Sequence, residues 1–208
     1  SSALIDPKGK VVWTGHPMRL SDSVIKKNLR GVQLGGGGGD LSVAVQLPKR
    51  YARVGRNLEK GDLGYGLAGL DEALQSASLE EEDRAVLESA RRQVEQILVA
   101  QQKAADTAFA AGRLADAERG WKRVAEHFRG HAAADLAKDR LGKLARDASL
   151  KRELEAGRKI LEAQELAAAG KTRKARKLLK SVAEGLWSET REAARARELL
   201  EEMDSSRD

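Results

Sequence analysis

From about residue 41 onward, apolar and small residues recur at helical spacing, and three stretches of the chain repeat one pattern. In the first, Gly61-Asp62-Leu63 opens a run whose apolar face is Leu67, Leu70 and Leu74. In the second, Gly112-Arg113-Leu114 opens a run with Leu114, Ala117, Trp121, Val124 and Phe128 on one side. The third begins at Gly170-Lys171-Thr172 and carries Ala175, Leu178, Leu179, Val182 and Leu186. Each glycine reads as the stop of one helix, and each run as the next helix. Longer helical stretches lie between them: Asp83 to Ala111, with Val86, Leu87, Ala90, Val94, Ile97, Leu98, Ala105, Ala108 and Phe109 on one stripe; Ala132 to Ala148, with Leu136, Leu141, Leu144 and Ala145; and Ser149 to Ala169, with Leu154, Ile160 and Leu161. A last helix is expected from about Glu189 to Met203. The whole of 41–208 therefore reads as one α-helical domain.

The first thirty residues follow another rule. Leu4-Ile5 and Val11-Val12-Trp13 are short apolar runs around Asp6-Pro7-Lys8-Gly9, a turn signal, which predicts a β-hairpin. Ser21 is a candidate N-cap, with Leu20 and Ile25 placed as a hydrophobic staple, and Val24, Ile25 and Leu29 give the following helix one apolar face up to Gly31. A hairpin and one helix bury too little surface to stand as a domain. Their partner elements are expected upstream of Ser1. Gly35 to Gly39 are five consecutive glycines, so residues 32–40 read as a tether. A phosphate-binding loop is excluded there, since Asp40-Leu41-Ser42 follows instead of Gly-Lys-Ser/Thr.

Two resemblances follow from these residues. Leu4-Ile5-Asp6-Pro7-Lys8-Gly9-Lys10-Val11-Val12-Trp13, then Gly15 and the helix Ser21 to Arg30, resembles the closing strands and helix of a thioredoxin-like domain of the redoxin, peroxiredoxin-like and TlpA-like group. The resemblance covers residues 1–31 only. It implies a thiol-disulfide oxidoreductase or peroxidase-like parent, bacterial and exported to the periplasm or cell envelope, with its cysteines and cis-proline upstream. The chain itself has no cysteine, so no catalytic residue of that family falls on it. Glu59-Lys60-Gly61-Asp62 through Leu67 and Ala110-Ala111-Gly112-Arg113-Leu114 through Glu118 resemble the helix–turn–helix of tetratricopeptide (TPR-like) repeats. That resemblance implies a protein-docking role. The glycines at 61, 112 and 170 lie 51 and 58 residues apart, not at the 34-residue period of that family. Each unit is thus expected to hold an extra helix or a long shared one, and an antiparallel helical bundle stays open as the alternative architecture.

Composition agrees with a helical chain: 3% aromatic, 34% charged and three prolines in 208 residues. Lys+Arg 38 against Asp+Glu 32 leaves +6, a mild preference for acidic partners on a mixed surface. No apolar run approaches the length of a membrane span. The densest charge is Lys171, Arg173, Lys174, Arg176, Lys177 and Lys180, ten residues without an acid. This run is the candidate anion- or partner-binding surface, and its lack of aromatics argues against nucleic-acid stacking. Gly170-Lys171-Thr172 lacks the upstream glycine and strand of a nucleotide-binding loop, because Glu165 stands where that glycine belongs. His127 and His131 have ligand spacing but no third ligand, so a solvated or capping role is expected and no metal or cofactor is assigned. Trp13, Trp121 and Trp187 read as core anchors, with partial exposure left open for Trp187, which falls between helices. No catalytic set of side chains is apparent.

Overall fold

Helices dominate the computed structural model, which describes Ser2–Ile5, Val11–Gly15 and residues 41–205. The chain divides into two units, Ser1–Asp40 and Leu41–Asp208. In the first, β1 (Ser2–Ile5) and β2 (Val11–Gly15) run antiparallel, with Ser2 opposite Gly15 and Leu4 opposite Trp13 and a one-residue register shift before Ile5. The turn at 6–10, the expected helix Ser21 to Arg30 and the glycine tether lie outside the described residues.

The second unit consists of α1 (Ala52–Glu59), α2 (Leu63–Gln75), α3 (Glu81–Ala110), α4 (Leu114–His127), α5 (Ala132–Arg146), α6 (Lys151–Ala168), α7 (Thr172–Glu184) and α8 (Arg191–Ser205). One turn geometry joins α1 to α2, α3 to α4 and α6 to α7. Gly61, Gly112 and Gly170 have φ of +78°, +77° and +74°, a region that costs an L side chain but not glycine. The glycine N–H donates to the carbonyl three residues back, at Leu58, Phe109 and Ala167. The next N–H donates five residues back, from Asp62 to Asn57, Arg113 to Ala108 and Lys171 to Leu166, at 2.9, 2.9 and 2.8 Å. This double closure satisfies the carbonyls a helix leaves open at its end. The next helix then starts at once, as Gly66, Ala117 and Ala175 donate back to Asp62, Arg113 and Lys171.

Because the three turns are alike, equivalent positions after them have like fates. The fifth residue is small and buried (Gly66, Ala117, Ala175), the ninth is a large buried side chain (Leu70, Trp121, Leu179), and the twelfth is buried too (Ala73, Val124, Val182). Small residues at the fifth position let the paired helices approach closely. A Cβ on Gly66 would lie 2.3 Å from Leu58, deep inside contact distance.

Each helix packs on its successor except α5: α6 packs on α4 instead, so α5 and α6 both flank α4. The α4–α6 crossing is tight: a Cβ on Gly157 would stand 2.9 Å from that of Ala115. Two apolar clusters result. The larger lies under α1–α5 and takes Leu154 and Leu161 from α6. The smaller joins α6, α7 and α8 through Ala156, Ile160, Ala163, Leu179, Val182 and Ala196. Helix α6 therefore belongs to both.

Several sequence expectations are corrected. Residues 41–48 are not helical. Leu41, Val43, Val45 and Leu47 alternate with Ser42, Ala44 and Gln46, and the first set is turned inward. Val43 N–H donates to Leu58 C=O at 2.9 Å, and Pro48 precedes the short 3-10 turn that leads into α1. Leu136 is exposed, because α5 buries its alanine side, Ala133, Ala134 and Ala137, with Leu144. Leu186 is also exposed, since α7 stops at Glu184. Val86 and Phe109 lie at the edge of the α3 stripe rather than within it, and are exposed. Trp187, whose place between helices leaves partial exposure open, is half-buried against the smaller cluster.

The turn geometry yields a prediction. Nothing stands within 4 Å of a Cβ placed on Gly170, so Gly170→Ala tests the backbone term alone. It is expected to cost roughly 1–2 kcal/mol, read as a lower urea midpoint at unchanged slope. No change in midpoint would mean that the left-handed conformation is not what sets the turn.

Candidate functional site

Polar and aromatic side chains come together at several places in the helical unit, and three of them bear on function. The first is a set of ion pairs where α4, α6 and α8 meet. Glu118 on α4 is nearly buried. It accepts from Arg158 on α6 through both oxygens, at 2.9 and 2.7 Å, and pairs with Lys122 at 2.7 Å. The Arg158 hydrogen bond holds its carboxyl below the ordinary carboxylate range, against the opposing effect of burial. On α8, Glu192 is only 3% exposed, and its Oε1 has no hydrogen-bond partner. Arg195, 3.4 Å from its other oxygen, also pairs with Asp116 of α4 at 2.8 Å. Glu153 of α6 accepts from the Arg191 N–H at 2.6 Å and so caps the start of α8. Burial pushes the Glu192 carboxyl up; Asp116 and Glu153 add to this, and Arg195 opposes it. No group of three or more His, Asp or Glu placed to hold a metal occurs among the described residues. The set is a clamp between helices: its carboxylates face arginines, a lysine and a helix N-terminus.

The second place is a groove of about 330 Å³. Asp106 and Phe109 from the end of α3, Trp121 from α4, Arg140, Lys143 and Leu144 from α5, and Asp147 and Leu150 from the turn beyond it form its walls. Phe109 is 44% exposed, and its ring centroid lies 5.3 Å from that of Trp121, tilted by 46°. Burying that ring on a partner would gain apolar contact that the chain by itself leaves unmade. Trp121 Nε1 donates to Asp106 Oδ1 at 3.0 Å. The same Asp106 oxygen pairs with Arg140, whose guanidinium stands 5.6 Å from the Trp121 ring centroid. The aromatic floor is thus fixed in orientation by one carboxylate and covered on one side by a cation. Asp147 is likewise occupied: it accepts from Ser149 N–H at 3.0 Å and from the Ser149 hydroxyl at 2.5 Å, which holds its carboxyl below the usual range. Lys143 is exposed and has no carboxylate partner among the described residues.

The third place is the basic run on α7. Lys171, Arg173, Lys174, Lys177 and Lys180 are all exposed. Lys180 stands 3.8 Å from Glu184. Lys171, Arg173, Lys174 and Lys177 have no carboxylate partner among the described residues. Arg176 leaves the set: it donates to Met203 C=O at 2.7 Å and pairs with Asp204, which ties α7 to the end of α8. The first turn of α7 holds no acid, so its cations sit against the positive end of the helix dipole. Of the two histidines, His131 caps a helix and His127 bridges two elements. His131 accepts from Ala133 N–H at 3.2 Å at the start of α5, and His127 Nδ1 donates to Gly61 C=O at 2.9 Å, joining α4 to the α1–α2 turn.

Sequence reasoning placed Phe109 and Trp121 in the core and left out Asp106, Arg140 and Lys143. Trp121 is indeed buried, but it is the floor of a groove. The available signal was Phe109 itself: it stands three residues before Gly112, at the helix end, where Leu58 stands before Gly61. Leu58 is fully buried by the segment 41–48 and by α2, whereas Phe109 has no such cover.

The Glu192 carboxyl, raised above its unfolded value, contributes stability that is present at low pH and lost as pH rises through the folded value. Glu192→Gln keeps the shape without the charge. Between pH about 5 and about 8 the variant is expected to gain on the parent chain in urea midpoint as pH rises, where the parent ionises a buried group. A midpoint difference that stays flat or runs the other way would show that Arg195 neutralises the site. No family model, curated protein or solved structure matches this chain.

Proposed function

We propose that the helical unit is a non-catalytic, TPR-like docking module, and that the chain is the C-terminal part of a thioredoxin-like redox protein which this module holds beside a protein partner. The observation that carries the docking reading is the groove: a large aromatic ring left open against a buried tryptophan, in a fold without a catalytic constellation among its described residues. The recurrence of one glycine turn three times, with matched buried positions after it, supports the repeat reading over a plain bundle. The redox reading rests on Leu4 through Trp13 and the following residues, and the antiparallel pairing of Ser2–Ile5 with Val11–Gly15 supports it.

A photo-crosslinking phenylalanine analogue at position 109, in the full-length protein in its own cells, tests the docking. Position 99 on the same helix, where Val99 is 61% exposed, is the control. A discrete protein adduct is expected at 109 and not at 99. Equal labelling at both, or none at 109, would sink the docking reading. The coding sequence upstream of Ser1 tests the redox reading: a proline directly before Ser1 and a Cys-x-x-Cys or a reactive Cys further upstream are expected. Without a cysteine there, the protein is a non-enzymatic helical adaptor.

The uncommitted cations of α7 favour a second, weaker reading, an anion-binding face. Binding of a polyanion such as heparin is then expected to fall steeply between about 50 and about 200 mM salt and to drop with Lys174→Glu and Lys177→Glu. A salt-independent interaction, or none at low salt, would dismiss it.

A further inference from the structure

Helix α8 is anchored differently at its two ends. Its buried residues are Glu192, Ala193 and Ala196, all in its first two turns, while Leu199, Leu200 and Met203 of its far half are partly buried against the smaller cluster. The far half is also tied to α7: Arg197 donates to Ala183 C=O at 3.1 Å, and Arg176 donates to Met203 C=O at 2.7 Å and pairs with Asp204. The first two turns face α4 and α6 through Arg195, the Arg191 N–H and Glu192. There a carboxyl stands where an apolar anchor would serve. A Cβ on Gly157 would lie 3.1 Å from Glu192 Oε1, so this oxygen rests on the α6 backbone at the α4–α6 crossing, and no donor reaches it. Glu153 of α6 accepts from the Arg191 N–H with one oxygen, and its other oxygen is buried without a donor too. The charges that face Glu192 come from three helices. Arg195 of α8 stands 3.4 Å from its Oε2. Asp116 of α4 takes the same arginine at the shorter distance of 2.8 Å, and pairs also with Arg119 at 3.3 Å and Arg113 at 3.6 Å. Glu153 of α6 adds a second carboxylate. Ionised, Glu192 therefore holds a buried charge with one oxygen unsolvated and a cation shared with Asp116. Protonated, it has no charge to desolvate and gains a donor.

We propose that Glu192 is a proton-operated latch: protonated, it closes the first two turns of α8 on α4 and α6, and ionised, it lets them open locally while the far half of α8 stays on α7. The device is independent of the groove at Trp121. Burial raises the closed-form carboxyl above its ordinary value. Closure is thus fully favoured below the open-form value and is lost as pH rises through the closed-form value. Opening frees the α6 backbone at Gly157 and exposes Ala193 and Ala196, so acid tightens this end of the module and rising pH loosens it.

Amide hydrogen exchange on the full 208-residue chain, resolved by NMR and corrected for the intrinsic rate at each pH, reads the opening. Between pH about 5 and about 8, protection at Arg195, Ala196, Arg197 and Glu198 is expected to fall about fivefold or more, with protection in α4 and α6 unchanged. In Glu192→Gln, which keeps the shape without the charge, the same amides are expected to show no such fall. Protection in α8 that stays flat with pH in the parent chain would overturn the latch, because Arg195 would then neutralise the ionised carboxylate. An equal fall in α4 and α6 would overturn it as well, since ionisation would then weaken the whole unit rather than open α8. A fall that persists in Glu192→Gln would assign the response to another group. If that variant does not fold, the comparison of α8 with α4 and α6 in the parent chain still decides.

Discussion

The helical unit depends on a backbone constraint, the left-handed glycine that closes one helix and opens the next. At Gly61, Gly112 and Gly170 the same pair of hydrogen bonds ends a helix, and the following residue starts another without a linker. A turn this short leaves no slack, so the second helix must lie back on the first. Which residues meet is then set by counting from the glycine. That is why a small residue at the fifth position and a large one at the ninth recur in α2, α4 and α7 despite little other likeness.

What the turns do not set is how the pairs sit on one another. That falls to α4 and α6. Gly157 lets α6 touch Ala115, and the two apolar clusters share α6 as a common wall. Around this crossing the helices exchange charge: Glu118 with Arg158, Asp116 with Arg195, and Glu153 with the amide end of α8. Ion pairs this enclosed add little net stability, because desolvation offsets much of their attraction. Glu192, buried with one oxygen unpaired, shows the cost of that arrangement directly.

The same layout produces the groove. With α6 packed on α4, the end of α3 beside α5 is left uncovered, and Phe109 stays open beside Trp121. One carboxylate, Asp106, then orients both the indole and Arg140. The groove is a consequence of helix stacking, and its polarity comes from side chains on three elements far apart in sequence.

The sequence determined the helical class, the three glycine stops and most of the inward positions after them, because these depend on local backbone preference and a 3.6-residue period. It left a solvated or capping role for both histidines, from a nearby helix end and the lack of a third ligand, and His131 caps. It also holds the alternation of Leu41, Val43, Val45 and Leu47, a period-two signal too short to stand out beside a long helical pattern. Only the tertiary structure decided that Leu136 and Phe109 face outward, that Arg176 is tied to the end of α8, and that Trp121 floors a groove. Periodicity shows which side of a helix is apolar, whereas exposure depends on which neighbour covers that side. That choice is made by the crossing at Gly157 and Ala115, a contact between residues more than forty positions apart.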